Sequence, residues 1–377
     1  MPDSGQKLEF GIEVWDLPVR LYHWLQFVGI AIASITGFLL GAVWINIHAA
    51  AGIAVLVLVM TRVLWGFIGS HYARFSSFVP GPTKILHHAT AIIRGKAETH
   101  AGHNPLGALM ILALLAVTTG LSLTGLAAFG GIFKDGPAAG LMTYAYGISA
   151  RNIHETLSIA LLALVALHIV GALFESWRSH ENLTLAMITG RKKNAVGARE
   201  EYRLPNPPAR ALAAFFAVLL LSGTAAYAMA KLSVKGAPVA PLDPTFMEEC
   251  TACHMAYHPS LMPAESWRLL MANLDNHFGE DASLGAAKAT AITDWLTGHA
   301  AQTADSKPAN VLRIVNEQAP YTLTETPYWA RRHRAIPAAV FSAPPVNSSA
   351  NCIACHRDVK TGWFYPGNIE IPKEALK

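Results

Sequence analysis

The chain has 377 residues, 52% of them hydrophobic and only 14% charged, with a mean hydropathy of +0.32 and a formal net charge of +4. A soluble globular chain carries about 25% charged residues, so composition excludes a protein that is water-soluble throughout. The small basic excess sits in short loops between apolar runs, where it reports membrane topology and gives no sign of nucleic-acid binding.

Charge is unevenly placed: 16 Lys/Arg and 11 Asp/Glu lie up to Ala230, against 13 and 14 from Lys231 onward. The N-terminus is polar and carries acids, which is not the pattern of a signal peptide. Five apolar segments then reach the ~20 residues a bilayer requires. The first runs from about Leu21 to Ile45 and carries a small-residue row at Gly29, Ala33, Gly37 and Gly41. The second, about Ile47 to Gly69, holds His48 and Arg62; the third, about Leu106 to Phe133, has no ionisable side chain before its end. The fourth lies within Asn152 to Glu175, and the fifth is Ala211 to Ala230. The fifth also reads as a secretory signal caught in a fusion, with a basic start and an A-x-A-like end at Ala228-Met229-Ala230. We take it as an uncleaved anchor.

Arg74, Lys84, Arg94 and Lys96 lie between the second and third segments, and Arg178, Arg191, Lys192, Lys193, Arg199, Arg203 and Arg210 between the fourth and fifth. The opposite connections hold only Lys134 and Arg151. The positive-inside rule therefore places the N-terminus and basic loops in the cytoplasm and everything after Ala230 outside, in the periplasm of a bacterium. Lys231 to Thr245, rich in Pro and Ala, reads as a tether. The remainder is helical in patches, such as Pro263 to Asn276 and Ser283 to Thr297, with a Pro-rich middle that covalent cofactors would help to hold.

The fourth segment carries His154 and His168, fourteen residues apart. On a helix this is about 21 Å of rise and a return to within roughly 40° of the same face. Ionisable side chains inside a bilayer are rare and usually functional. Threading the chain up and down places His48 and His154 near the outer side and His23 and His168 near the cytoplasmic side. Two bis-imidazole b-type haems stacked across the membrane explain both pairs, and the competing reading is interfacial histidines at span ends. Arg62 lies fourteen residues after His48, on the same face in the cytoplasmic half. It reads as a partner for a propionate of the His23/His168 haem, or as a side chain snorkelling to the surface.

The four cysteines form C250-T-A-C-H254 and C352-I-A-C-H356, with 98 residues between the pairs. Covalent c-type haem needs two thiols spaced for two vinyl groups and a histidine directly after them as proximal iron ligand. A four-thiolate zinc site or a redox dithiol is the other reading, but neither accounts for His254 and His356. His277 lies 23 residues after His254 and His333 lies 23 residues before His356, and both are expected as distal ligands. His258, His299, Met255 and Met262 are rivals.

The segments V14-W-D-L-P-V-R-L-Y-H-W24, T61-R-V-L-W-G-F-I-G-S-H-Y-A-R-F75, G102-H-N-P-L-G-A-L-M110 and E181-N-L-T-L-A-M-I-T-G-R-K192 resemble the bacterial di-haem cytochrome b561 family, relatives of the b-type subunits of membrane hydrogenases and formate dehydrogenases. The resemblance implies a four-helix bundle with two b haems on His23, His48, His154 and His168. E249-C-T-A-C-H-M255, D275-N-H-F-G-E280, T324-E-T-P-Y-W-A-R-R-H-R334 and N351-C-I-A-C-H-R357 resemble the di-haem cytochrome c family, which implies bis-histidine ligation and supports His277 and His333. The fifth span and tether belong to neither family.

The expected protein is mainly α. Residues 1–195 form a transmembrane di-haem b domain, 196–245 a cytoplasmic loop, anchoring helix and linker, and 246–377 a small helical, loop-rich periplasmic di-haem c domain. Expected cofactors are two haem b, two covalently attached haem c, and a quinone that the relatives imply near the cytoplasmic-side haem. Expected partners are membrane lipid, the quinone pool and a periplasmic redox protein, with a homo-oligomer open. The leading function is electron transfer between quinone and that partner, at a bacterial inner membrane. The alternatives are reaction of a small oxidant such as superoxide at the b haems, and a non-redox metal-binding anchor.

Overall fold

In a computed structural model the chain is helical and forms two compact units. The structure describes residues 12–94, 100, 102–192 and 208–376; Lys96, Lys193, Arg199 and Arg203, used above for topology, lie outside these.

Among the described residues, five helices are long and apolar enough to cross a membrane: Leu17–Leu39, Ala42–Ile68, Pro105–Phe133, Tyr144–Ser179 and Ala209–Ala230. The first begins four residues earlier than the hydropathy suggests because Asp16 caps it, accepting the Val19 N–H at 2.8 Å, with Pro18 preset for the first turn. The same carboxylate, 3% exposed, accepts from Trp65 Nε1 at 2.9 Å and Ser70 Oγ at 2.7 Å. It thereby fastens the start of the first span to the end of the second. The first span ends at Leu39 through a π turn, Ile35–Leu39, and the third ends through another, Phe129–Phe133. The one sheet among the described residues is a two-residue antiparallel ladder, Ile12–Glu13 with Arg191–Lys192. Val14 and Trp15 there donate to the Gly190 carbonyl at 2.8 and 3.0 Å. Gly190 has φ +84°, and an added Cβ would meet Trp15 O at 2.6 Å, so this helix end requires glycine.

The second unit joins residues 229–376 to two loops, 40–46 and 127–149. Both loops connect spans on the side where the fifth span also emerges, as five crossings demand. Among the described residues the C-terminal portion has three small cores, one of them formed by Ala301, Ala304 and Ala309 and the other two beside the cysteines. Of those two, one gathers Phe246, Met262, Trp267, Ile292 and Leu296 with Cys250 packed against it; the other gathers Val340, Val346 and Ala375 with Cys355 alongside. Each Cys-x-x-Cys-His motif thus borders its own core.

The stretch read as a tether is ordered. Gly236 O accepts the Asp305 N–H at 2.7 Å, and Val239 O accepts from His258 Nε2 at 2.9 Å. Asp305 is the hub of this unit. Its Oδ2 accepts from Lys134 Nζ at 2.5 Å and from Tyr144 N–H at 2.9 Å, and its Oδ1 from Asn310 Nδ2 at 3.1 Å. The Lys134 side chain is fully buried and also donates to Met142 O at 2.9 Å. Tyr365 OH hydrogen-bonds Asn46 in the other loop, and its ring meets Phe133 edge-on at 6.0 Å.

Candidate metal centres

The eight histidines singled out by the sequence lie in four pairs. Ring centroids are 6.3 Å apart for His23 and His168, 6.0 Å for His48 and His154, 6.0 Å for His254 and His277, and 6.2 Å for His333 and His356. An iron bound by two imidazoles at ~2 Å per bond, with each ring centre roughly 1 Å behind its nitrogen, separates the centroids by about 6 Å. The interplanar angles of the four pairs run from 30° to 75°.

Protonation agrees with metal ligation. A carbonyl oxygen can only accept, so an imidazole nitrogen facing one carries the proton. Nδ1 donates to Ala33 O at 3.0 Å in His48, to Leu121 O at 2.9 Å in His154, to Met255 O at 2.7 Å in His254 and to Trp329 O at 2.9 Å in His333. In all four Nε2 keeps its lone pair for a metal, the arrangement usual for ligating histidines. His23 Nδ1 and His356 Nδ1 are buried with no hydrogen-bond partner among the described residues. Added Cβ atoms at Gly37 and Gly125 would lie 3.1 and 2.9 Å from Cε1 of His48 and His154, so glycine leaves these two rings their position.

None of the four cysteines is paired in a disulfide; Cys250, Cys352 and Cys355 are half-buried and Cys253 is exposed. Burial pushes the Cys250 and Cys352 thiols up to about 11, with the Glu249 carboxylate adding to the effect at Cys250. No group of three or more His, Cys, Asp or Glu converges among the described residues, so the two pairs do not share one tetrahedral zinc site. Two of the rival distal ligands, His258 and Met262, are engaged elsewhere. His258 is fully buried with Nδ1 at 2.8 Å from Ser260 Oγ and Nε2 donating to Val239 O. Met262 is a core residue, and His299 Nδ1 donates to Trp295 O at 2.8 Å much as His333 does to Trp329 O, but the ring does not face His254 or His356 among the described ring contacts. The paired residues are instead held on short elements. His333 closes the helix Pro327–His333 and stacks on Trp329 at 4.5 Å. His277 sits at a small bridge with Glu280, just before Phe278 and Gly279 turn the chain at positive φ.

Arg62 is 4% exposed and so does not snorkel. Its guanidinium lies 5.6 Å over the Phe75 ring, and Nη1 has no hydrogen-bond partner among the described residues. One residue near it went unnoticed in the sequence. His103, in the loop before the third span, packs 4.4 Å from Trp15 and 4.9 Å from Phe78, with Nδ1 buried and without a hydrogen-bond partner among the described residues. Burial, then the positive charges of Arg62 and Lys192, drive its pKa down to about 3, so it is neutral. Its signal was the G102-H-N-P105 turn, where Asn104 Oδ1 caps the third span by accepting the Gly107 N–H at 2.7 Å.

Comparison with known proteins divides the chain in the same way. Residues 14–190 match the family described as prokaryotic cytochrome b561, and residues 246–364 match dihaem cytochrome c. The first part is similar to a probable Ni/Fe-hydrogenase B-type cytochrome subunit of Bradyrhizobium diazoefficiens, 27% identical over 48% of this chain and 86% of that protein. A probable Ni/Fe-hydrogenase 1 B-type cytochrome subunit of Escherichia coli K12 is 24% identical over 49% and 92%. The second part is similar to the diheme cytochrome c of Shewanella baltica OS155, 33% identical over 35% of this chain and 95% of that chain, with a TM-score of 0.29. A diheme cytochrome c from Rhodobacter sphaeroides is 38% identical over 33% and 98%, also with a TM-score of 0.29.

Proposed function

Because the chain joins a prokaryotic cytochrome b561 domain to a dihaem cytochrome c domain, we propose that it carries electrons between the membrane quinone pool and a periplasmic redox protein through two b-type and two c-type haems. Membrane electron transfer by haems follows from the two families themselves. The count, ligands, quinone and outer partner are our reading. One observation supports it most: four histidine pairs share a spacing of 6.0 to 6.3 Å, two between membrane spans and two involving the histidine of a Cys-x-x-Cys-His motif.

In this reading His48 with His154 and His23 with His168 hold the b haems, and His254 with His277 and His333 with His356 hold the c haems. Cys250, Cys253, Cys352 and Cys355 form the thioethers. A bound haem supplies a one-electron site that needs no proton or bond rearrangement. The chain's own residues hold the ligands in one tautomer, exclude water from the membrane pairs, and fix the iron positions on rigid helices. Arg62, buried with a free Nη1 on the same face as His48, offers its charge to a propionate beside the His23/His168 pair. The relatives carry the name of hydrogenase b-type subunits; here we assign the fused c domain as the redox partner of the b domain. The basic-loop side, near His23, His168 and Arg62, is the place we assign to quinone exchange. The basic loops support a periplasmic c domain, and with it we assign the chain to a bacterial inner membrane.

Pyridine haemochrome spectra of the purified protein test the count, with equal amounts of b and c haem expected. A preparation with one type only would overturn the assignment.

A further inference from the structure

The first and third spans share a short sequence that the family resemblance left without a role: Ser34-Ile35-Thr36-Gly37 and Ser122-Leu123-Thr124-Gly125. The two turns do the same thing in space. Thr36 Oγ1 donates to Ile32 O at 2.7 Å and also faces Ala33 O at 3.1 Å; Thr124 Oγ1 donates to Gly120 O at 2.7 Å and faces Leu121 O at 3.0 Å. The carbonyl three residues before each threonine accepts a histidine Nδ1–H: Ala33 O from His48, Leu121 O from His154. Each threonine oxygen also stands beside that same Nδ1, at 3.1 Å for Thr36 and 3.5 Å for Thr124. The following glycine is where a Cβ would press on Cε1 of the ring. Both imidazoles of one pair are therefore held by the same device, from two different helices.

The other membrane pair is held differently. His23 Nδ1 is buried with no partner among the described residues. The repeated turn is thus not a general way of seating a histidine in this bundle.

We propose that the two Ser-x-Thr-Gly turns form a matched clamp that fixes both axial imidazoles of the His48–His154 haem by Nδ1 and lowers the midpoint potential of that haem alone. This rests on the reading of His48 and His154 as ligands. An imidazole whose N–H is hydrogen-bonded to oxygen is a more basic ligand, and a more basic ligand favours the more highly charged iron. With its own hydrogen committed to the i−4 carbonyl, each threonine hydroxyl turns a lone pair toward Nδ1–H and adds to the effect of the helix carbonyl. The glycines let the rings reach these acceptors.

The test is a spectroelectrochemical titration of the full-length, haem-loaded protein, read in the b-haem absorption bands. Thr36→Val with Thr124→Val keeps side-chain shape and removes both hydroxyls. It is expected to retain both b haems, shift one b transition to higher potential and leave the other and the c haems unchanged. Thr36→Ser with Thr124→Ser, which restores the hydroxyls, is expected to return the wild-type potential. Single valine variants are expected to move the same transition by less, and they decide the matter if the double variant does not assemble. No shift, an equal shift of both b transitions, or a serine pair that behaves like the valine pair would overturn the clamp. His154→Ala separates the underlying assignment: it is expected to remove the very transition that the valines move. Retention of both b haems in His154→Ala would mean that the ligand assignment itself has failed.

Discussion

Asp305→Ala removes the acceptor for Lys134, whose side chain is fully buried, and for Tyr144 N–H. Breaking a buried ion pair by deleting one partner costs about 3–5 kcal/mol, because the remaining charge is left uncompensated. Asp305 is 25% exposed on its side chain, so water can reach the vacated place and the lower end, about 3 kcal/mol, is expected. Set against a domain stability of roughly 5–15 kcal/mol, this is enough to free the Lys134–Tyr144 segment from residues 301–310 while each part stays folded. Hydrogen exchange at Tyr144 and Asp305 amides measures it directly, and the loss corresponds to exchange faster by about two powers of ten. Lys134→Met alone is expected to cost less, since Asp305 keeps its bonds from Tyr144 and Asn310. Lys134→Met with Asp305→Leu is expected to recover most of the loss, because two apolar groups leave no unpaired charge. Unchanged exchange in Asp305→Ala, or costs that simply add in the double variant, would refute the reasoning.

The same joint has a defined acid response. Burial alone would raise the Asp305 carboxyl, but the bonds from Lys134, Tyr144 and Asn310 outweigh it and hold the group below its usual range. Its folded pKa is thus below the unfolded ~3.9, so its contribution is complete above about pH 4 and lost as pH falls through the folded value; protection of the Tyr144 amide should be flat from pH 5 to 8 and drop only below about 4. Asp16→Ala removes a helix cap and leaves Trp65 Nε1 without its buried acceptor, which should cost about 2–4 kcal/mol in thermal unfolding of the b domain; a shift of under about 0.5 kcal/mol would contradict the role given to it. His277→Ala should leave its c haem covalently attached but convert it from low-spin to high-spin, whereas His258→Ala should lower stability and keep the spin state; the reverse pattern in electron paramagnetic resonance would exchange their roles. Arg62→Leu should lower the potential of one b haem, since a nearby cation disfavours the oxidised iron; an unchanged potential would remove the propionate reading.

Much of the candidate site was legible because its chemistry is local or periodic. Cys-x-x-Cys-His is a local spacing, and the fourteen-residue interval from His154 to His168 is a helical period. Counting spans suggests the membrane pairs, and spacing and resemblance together suggest His277 and His333 as distal ligands. Hydropathy was silent about what sets the ends of the spans. Asp16 begins the first by capping, and Tyr144 begins the fourth several residues before the apolar run, after a loop that folds with the C-terminal domain. Nor could it reveal the Lys134–Asp305 pair, two single charges 171 residues apart with no period to link them. The Ala/Pro composition of residues 231–245 suggests a tether and says nothing of its contacts, which are made by backbone groups: Gly236 O and Val239 O accept from Asp305 and His258. The twin Ser-x-Thr-Gly turns were visible as letters. Their meaning required seeing which nitrogen each carbonyl faces.

The most direct measurement is stopped-flow mixing of the purified protein, oxidised with quinol and reduced with quinone, recorded in the separate absorption bands of b and c haem. The account predicts that in at least one of the two directions the b haems exchange electrons with the quinone first and the c haems follow. Electron exchange at the c haems with the b haems as spectators, or no reaction of the b haems with quinone in either direction, would contradict it.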